Sequence, residues 1–474
     1  MLRTARIILD KIGEFTDSHA YIFITGFIAL VFHCLALDLA GILTFAVAIC
    51  LSLLFVKNYK AYLTPFANII FIVSTQNSPA YGDGKGNGPS DMPCGANYYM
   101  RRDVLYPLII AVAVIAFCFI VRVIKDRENL KSGRSYITFA VASAAMLLAG
   151  AGSAFYFESV KANALLVICL FGLYVAFTAT LNNSDGLLFD YISTLLAELA
   201  LLIAIEVFEV YYLNLIADGS FGEGWKNKII TGWGVSNVSG ELIAMFLPFA
   251  YMKAERGKHV VFYELSALIS SLAIVFTLSR TGILVGGIVA IIFAIKTIIN
   301  RREDKRRLVV TFIAFMSVLL GVFIALLAFT DFTELFDYFG RAFNSGNIGS
   351  GRFRIWGYMW DCFLSRPVLG VGNAQRFFAV GDNHGGFVYS GYAHNLFFDA
   401  LGGGGIIGVA ALIFFVIRIA KIYTAESDGR FFLNAFFIAS LAAAMFDITY
   451  ALCYCLWFFA LVTAVAEKLT KGSV

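Results

Sequence analysis

The chain has 474 residues, of which 60% are hydrophobic and 14% charged. A soluble domain carries about 25% charged residues, so a water-soluble globular fold is excluded. The formal charge of +4 is small and its basic residues are scattered between apolar runs, which argues against a nucleic-acid partner.

The first twenty residues carry Arg3, Arg6 and Lys11 ahead of an apolar run over 21–37 with no small-residue cleavage pattern after it. This predicts a retained first helix. Further runs able to cross, or nearly cross, a hydrocarbon layer of about 30 Å follow at 40–56, 61–75, 104–121, 135–156, 163–180 and 188–210. Seven more lie at 236–252, 259–278, 282–299, 308–330, 395–417, 431–447 and 449–466. The expectation is one all-α, polytopic membrane protein of about 12 to 14 transmembrane helices. The run over 61–75 is the weakest, being short and holding Pro65.

Lys and Arg concentrate in short cytoplasmic loops. With the N-terminus inside, about two thirds of the 36 basic residues fall on inner segments, so both termini are expected in the cytoplasm. Three longer segments then face outward: 76–103, 211–235 and a large extracytoplasmic loop over 331–393. Of eight cysteines, six lie inside apolar runs and read as packing. Cys94 and Cys362 fall on outer segments, where a disulfide is conceivable. No metal-ligand spacing is present.

In the large loop, Trp356, Met359, Trp360 and Phe363 recur at helical spacing after Arg352, which predicts a helix lying in the interface with this face in lipid. Arg280 sits in the polar break Ser279-Arg280-Thr281-Gly282 between two apolar runs. An arginine there either snorkels to headgroups or offers its planar fork to a phosphate. His394 opens a helix and is followed by Asn395, Gly405 and Gly408. It is either a hydrogen-bonded boundary residue or a catalytic one. The run Gly402 to Gly405 serves close helix packing or local unwinding. Glu198 falls near the middle of its span, with Glu206 and Glu209 further out and Glu241 four residues after Asn237, and a carboxylate at that depth is costly enough to suggest a role.

His394-Asn395, nine residues, Gly405, two residues, Gly408 fits the pattern H-[NSQ]-x9-G-x-x-[GTY]. With Thr277-Leu278-Ser279-Arg280, Gly351-Arg352, Trp356, Pro367, Gly370 and Gly372, it resembles the O-antigen ligase and polymerase superfamily over roughly the last 240 residues. The resemblance divides the chain into N-terminal transmembrane helices over 1–230 and an O-antigen ligase-like membrane domain over 231–474. It implies a GT-C-like fold in the bacterial inner membrane. It also implies a metal-independent, cofactor-free glycosyltransferase, moving a saccharide from a polyprenyl-diphosphate carrier to an acceptor hydroxyl of a glycan, lipid or protein on the outer face. On that reading His394 and Arg280 are catalytic, and Arg352, Lys228, Asn237, Asn395 and Trp356 bind diphosphate or glycan. Two positions depart from the pattern: Gly403 stands where members often carry Glu, and Lys228 where ligases carry an arginine. The competing classes are a transporter or flippase of lipid-linked saccharides, motivated by Glu198 and the number of spans, and a non-catalytic envelope scaffold.

Overall fold

A computed structural model describes residues 11, 13–56, 58–75, 77, 96–154, 156–181, 187–218, 229–232, 234–256, 259–300, isolated positions between 305 and 320, 352–373, 377–380, 387–390, 392–427 and 429–470. These residues are mostly helical. In chain order the helices are α1 (His19–Cys34), α2 (Asp38–Phe55), α3 (Lys60–Asn68), α4 (Ala96–Met100), α5 (Arg102–Lys125), α6 (Tyr136–Leu148) and α7 (Tyr156–Val167). They continue with α8 (Leu173–Thr180), α9 (Leu188–Asp218), α10 (Ser236–Arg256), α11 (Val260–Phe276), α12 (Arg280–Asn300), α13 (Arg352–Ser365), α14 (Leu396–Thr424), α15 (Arg430–Phe446) and α16 (Cys453–Leu469). Each expected run coincides with a helix except 308–330, which falls largely outside the described residues. Two short antiparallel pairs interrupt the all-α pattern, Ile230–Thr231 with Gly234–Val235 and, inside the large loop, Phe377–Val380 with Phe387–Ser390.

Among the described residues five helical segments are long and apolar enough to cross a membrane: Asp38–Phe55, Arg102–Lys125, Tyr156–Thr180, Leu188–Leu213 and Leu396–Thr424. Tyr156–Thr180 joins α7 to α8 through a π turn over Ile168–Gly172. The 31 residues of α9 hold neither Gly nor Pro, so nothing breaks its ladder over roughly 46 Å. The weak run at 61–75 is α3 followed by a 3₁₀ turn over Ile69–Ile72, with Pro65 inside the helix and every side chain of α3 buried.

The chain forms two compact units, each assembled from two stretches: residues 1–127 with 182–339, and 128–181 with 340–474. In the first unit α9 is the central helix, 83% buried over its apolar window against 22% for α5. It packs on α10, α11 and α1. Its carboxylates are tied inward: Glu209 meets His33 Nε2 at 2.6 Å, while His33 Nδ1 lies 2.9 Å from the Val73 carbonyl and 3.7 Å from Glu206. Glu198 is buried against Gly26 of α1, where an added Cβ would lie 1.6 Å from its Oε1.

The second unit holds α6, α7, α8, α13, α14, α15 and α16. Tyr174 and Phe139 stack at 4.1 Å, and the Tyr174 hydroxyl donates to Glu467 at 2.7 Å. The helix expected after Arg352 is present as α13, but two of the residues assigned to lipid face protein. Met359 is fully buried, and Trp356 stacks on Phe398 of α14 at 5.1 Å. The amphipathic spacing was read correctly and its partner was not, because a bilayer and a neighbouring apolar helix ask for the same stripe. Trp360 and Leu364 remain exposed. Cys362 is buried and in no disulfide among the described residues, and Cys94 lies outside them.

Candidate active site

The site is built on a strained turn. His394 has φ +51°, a left-handed conformation that costs a β-carbon-bearing residue on the order of 1–3 kcal/mol and persists only where its surroundings over-determine it. Here they do. Asn395 caps α14, its Oδ1 accepting from Phe398 N–H at 3.1 Å while its Nδ2 donates to the Met445 carbonyl at 2.8 Å. Trp356 donates its indole N–H to the Ala393 carbonyl at 3.0 Å. At the other end of the same residue, Ala393 N–H donates to Asp399 at 2.9 Å.

The side chain of His394 is fixed by a residue absent from the sequence reading. Its Nδ1 lies 2.8 Å from Asp447 Oδ1, and Asp447 Oδ2 accepts from Arg352 at 3.1 Å. Arg352 also donates to the Phe446 carbonyl, and Asp447 Oδ1 accepts from Ile448 N–H at 2.8 Å. Asp447 is the C-cap of α15, just before the 3₁₀ turn Thr449–Ala451 that leads into α16. Its only sequence signal was an isolated acid at the junction of two apolar runs. Burial alone would raise the Asp447 carboxyl. The hydrogen bond from His394 and the charges of His394 and Arg352 outweigh it and hold the group below the ordinary carboxylate range. An ionised Asp447 is an acceptor only, so it takes its hydrogen bond from His394 Nδ1–H and leaves Nε2 as the ring nitrogen turned away from the carboxylate. Side-chain exposures of 23% for His394, 20% for Arg352 and 2% for Asp447 set the order of access: histidine and arginine reach solvent, and the carboxylate stands behind both.

A second device holds α13 against α14. At Gly405 (φ +63°, ψ −154°) the α14 ladder breaks, and a loop takes the vacated partners. Ile406 and Ile407 N–H donate to the Pro367 and Val368 carbonyls at 2.8 and 3.3 Å, while Val371 and Gly372 N–H donate to the Gly402 and Gly403 carbonyls at 3.0 and 2.9 Å. Segment 367–372 is thus spliced into the helix, with four bonds replacing those the break removes. The fit needs glycine: a Cβ on Gly370 would lie 2.3 Å from the Gly403 carbonyl, and one on Gly402 2.8 Å from the Met359 carbonyl. The same strap is tied to the α6–α7 turn by Gly150 N–H to Leu369 O at 2.7 Å, Asn373 N–H to Ser159 Oγ at 2.9 Å and Arg366 to Gly152 O at 2.5 Å. Both uses expected of the glycine run occur: Gly402 packs and Gly405 unwinds.

Arg352, Trp356, His394 and Asn395 therefore meet in the second unit. Arg280 and Asn237 belong to the first, and Lys228 lies outside the described residues. Arg280 is the first residue of α12, behind a turn in which Leu278 has φ +53°. Ser279 caps the helix, accepting from Gly282 N–H at 3.0 Å, and Thr277 Oγ1 accepts from Ser279 N–H at 3.3 Å. Gly240 and Gly282 bring the Asn237 end of α10 onto this turn, a Cβ on Gly282 lying 3.1 Å from Gly240. Ser279→Ala should remove one capping bond and lower stability by about 0.5–2 kcal/mol, read as a fall in thermal midpoint in detergent.

The helices and their apolar spans define a polytopic membrane protein, and in its second unit a histidine, a carboxylate and an arginine meet at helix ends. Residues 265–413 match the family model described as O-antigen ligase, Wzy_C. That stretch of the chain is similar to the O-antigen ligase family and contains Arg280, Arg352, His394 and both motif glycines. No curated protein matches the chain.

Proposed function

We propose that the chain is a surface-polysaccharide ligase or polymerase that takes a saccharide from a polyprenyl-diphosphate carrier and joins it to an acceptor hydroxyl on the outer face of the bacterial inner membrane. The observation that carries this is the His394–Asp447–Arg352 cluster inside and beside the matched domain. In the reaction the acceptor oxygen attacks the anomeric carbon as the bond from that carbon to the diphosphate breaks. The diphosphate leaves with the electron pair. The acceptor proton passes to His394 Nε2, and Asp447 stabilises the imidazolium that results. Charge accumulates on the departing diphosphate, so fixed cations act there more strongly than in the ground state. Arg352, beside His394, is proposed as such a cation, which is why the transfer is proposed to need no metal ion, and Arg280 is proposed as catalytic from its place in the resemblance alone. Trp356 and Asn395 spend their polar atoms on the His394 turn, so their contribution is to hold it. Fourteen crossings with both termini inside, and a GT-C-like arrangement, complete the proposal.

The test is purified protein in liposomes with lipid-linked oligosaccharide, acceptor and a chelator. Wild type should transfer glycan, and Arg280→Ala should lower the rate by about 10²-fold or more, with Arg280→Lys recovering part of it. Unchanged transfer by Arg280→Ala would remove that residue from the mechanism. Deleting the gene separates acceptors: single repeat units left on the carrier indicate a polymerase, and long chains stranded there a ligase. The transporter reading rests on Glu198, buried within α9 near the middle of the apolar run 188–210, and on the number of spans. Movement of lipid-linked sugar across the liposome without glycan transfer would favour it.

A further inference from the structure

Ala393, the residue before the strained His394, is gripped at both its carbonyl and its N–H, and the second grip falls on a position the family motif leaves unspecified. Ala393 N–H donates to Asp399 Oδ2, and the same oxygen accepts the Tyr450 hydroxyl. Asp399 is buried in the first turn of α14, where the partial positive charge of a helix N-terminus favours a carboxylate. Tyr450 sits in the 3₁₀ turn Thr449–Ala451, three residues after Asp447, and its ring meets Tyr392 edge-on at 6.1 Å. One carboxylate therefore ties the turn that presents His394 to the turn that presents its partner Asp447. Both turns must keep register for the 2.8 Å bond between Nδ1 and Oδ1 to form. A carboxylate needed only to cap α14 would have no use for a hydroxyl from the far turn, since Asn395 already caps that helix.

We propose that Asp399 and Tyr450 are positioning residues for glycan transfer, acting through each other to hold the imidazole on Asp447. This rests on the transferase reading above. The Tyr450 hydroxyl acts through Asp399, so its loss should appear in kcat and leave KM for donor and acceptor unchanged. The experiment is a double-mutant cycle in proteoliposomes, with rates normalised to monodisperse folded protein. Tyr450→Phe should lower kcat about 3- to 10-fold, the scale of one hydrogen bond. Asp399→Ala should lower it further, and Asp399→Asn, which keeps an acceptor oxygen, should retain more activity than Asp399→Ala. The pair Asp399→Ala/Tyr450→Phe should be no slower than Asp399→Ala alone, because both substitutions remove the same bond. Full kcat in Tyr450→Phe, or independent losses that multiply in the double variant, would overturn the inference. Retained transfer by His394→Ala would instead overturn the reading beneath it, so the two failures are separable.

Discussion

Replacing His394 by alanine is expected to lower glycan transfer by about 10²–10⁴-fold, the range a positioned general base supplies, with the protein still folding in detergent. The more informative variant is Asp447→Asn. It keeps the shape but removes the charge that sets the histidine tautomer, and the loss of an orienting carboxylate from a histidine base reaches on the order of 10⁴-fold elsewhere. His394→Arg separates the two roles left open by the sequence. If His394 holds a phosphate, a second arginine restores transfer. If it takes the acceptor proton, arginine cannot, and the variant should be as dead as alanine. The bond from Nδ1 to Asp447 favours the second outcome, because a buried carboxylate placed behind the ring supports an imidazolium formed during the reaction.

The same carboxylate gives a stability signature. Its folded value lies below the ordinary one, so the folded protein binds fewer protons there than the unfolded chain. The stabilisation is fully present above the ordinary value of about 3.9 and is lost as pH falls through the lower folded value. The gap in thermal midpoint between wild type and Asp447→Asn should therefore close as pH falls below about pH 4. A gap already closed at about pH 5 would show that a different group carries it.

Hydropathy was enough to find the helices, because apolar runs of bilayer length have few other uses. It could not reveal that each compact unit is assembled from two separated stretches. Nor could it supply Asp447, which meets His394 from 53 positions away in sequence. Nothing local distinguishes that acid from one ending a helix at the surface. The family pattern located His394, Arg352 and the glycines without giving them a cause. The structure supplies one: Gly405 is where the helix opens, and Pro367, Gly370 and Gly372 belong to the segment that enters. Trp356, expected to bind substrate or sit in lipid, donates its indole N–H to the Ala393 carbonyl and stacks on Phe398, contacts that no local spacing announces.

That splice makes the glycine run a test with its own control. Gly405→Ala places a β-carbon at φ +63° and ψ −154°, a region open essentially to glycine. It would also meet the Pro367 and Val368 carbonyls at 2.6 Å. Neither neighbour can yield, because both carbonyls are the acceptors that repair the break. The helix must either close, expelling the strap, or shift away from it, and both outcomes move α13 with Arg352 relative to His394. A destabilisation of about 3 kcal/mol or more is expected from strain and overpacking together, with near-complete loss of transfer in whatever protein folds. Its neighbour Gly404 has nothing within 4 Å of an added Cβ. Gly404→Ala should be neutral or stabilising by up to about 1 kcal/mol, the helix propensity difference between the two residues. Thermal midpoints and transfer rates of the two variants, one position apart, decide whether the run serves as a generic flexible hinge. A hinge would suffer from both substitutions, whereas a splice fails only at Gly405.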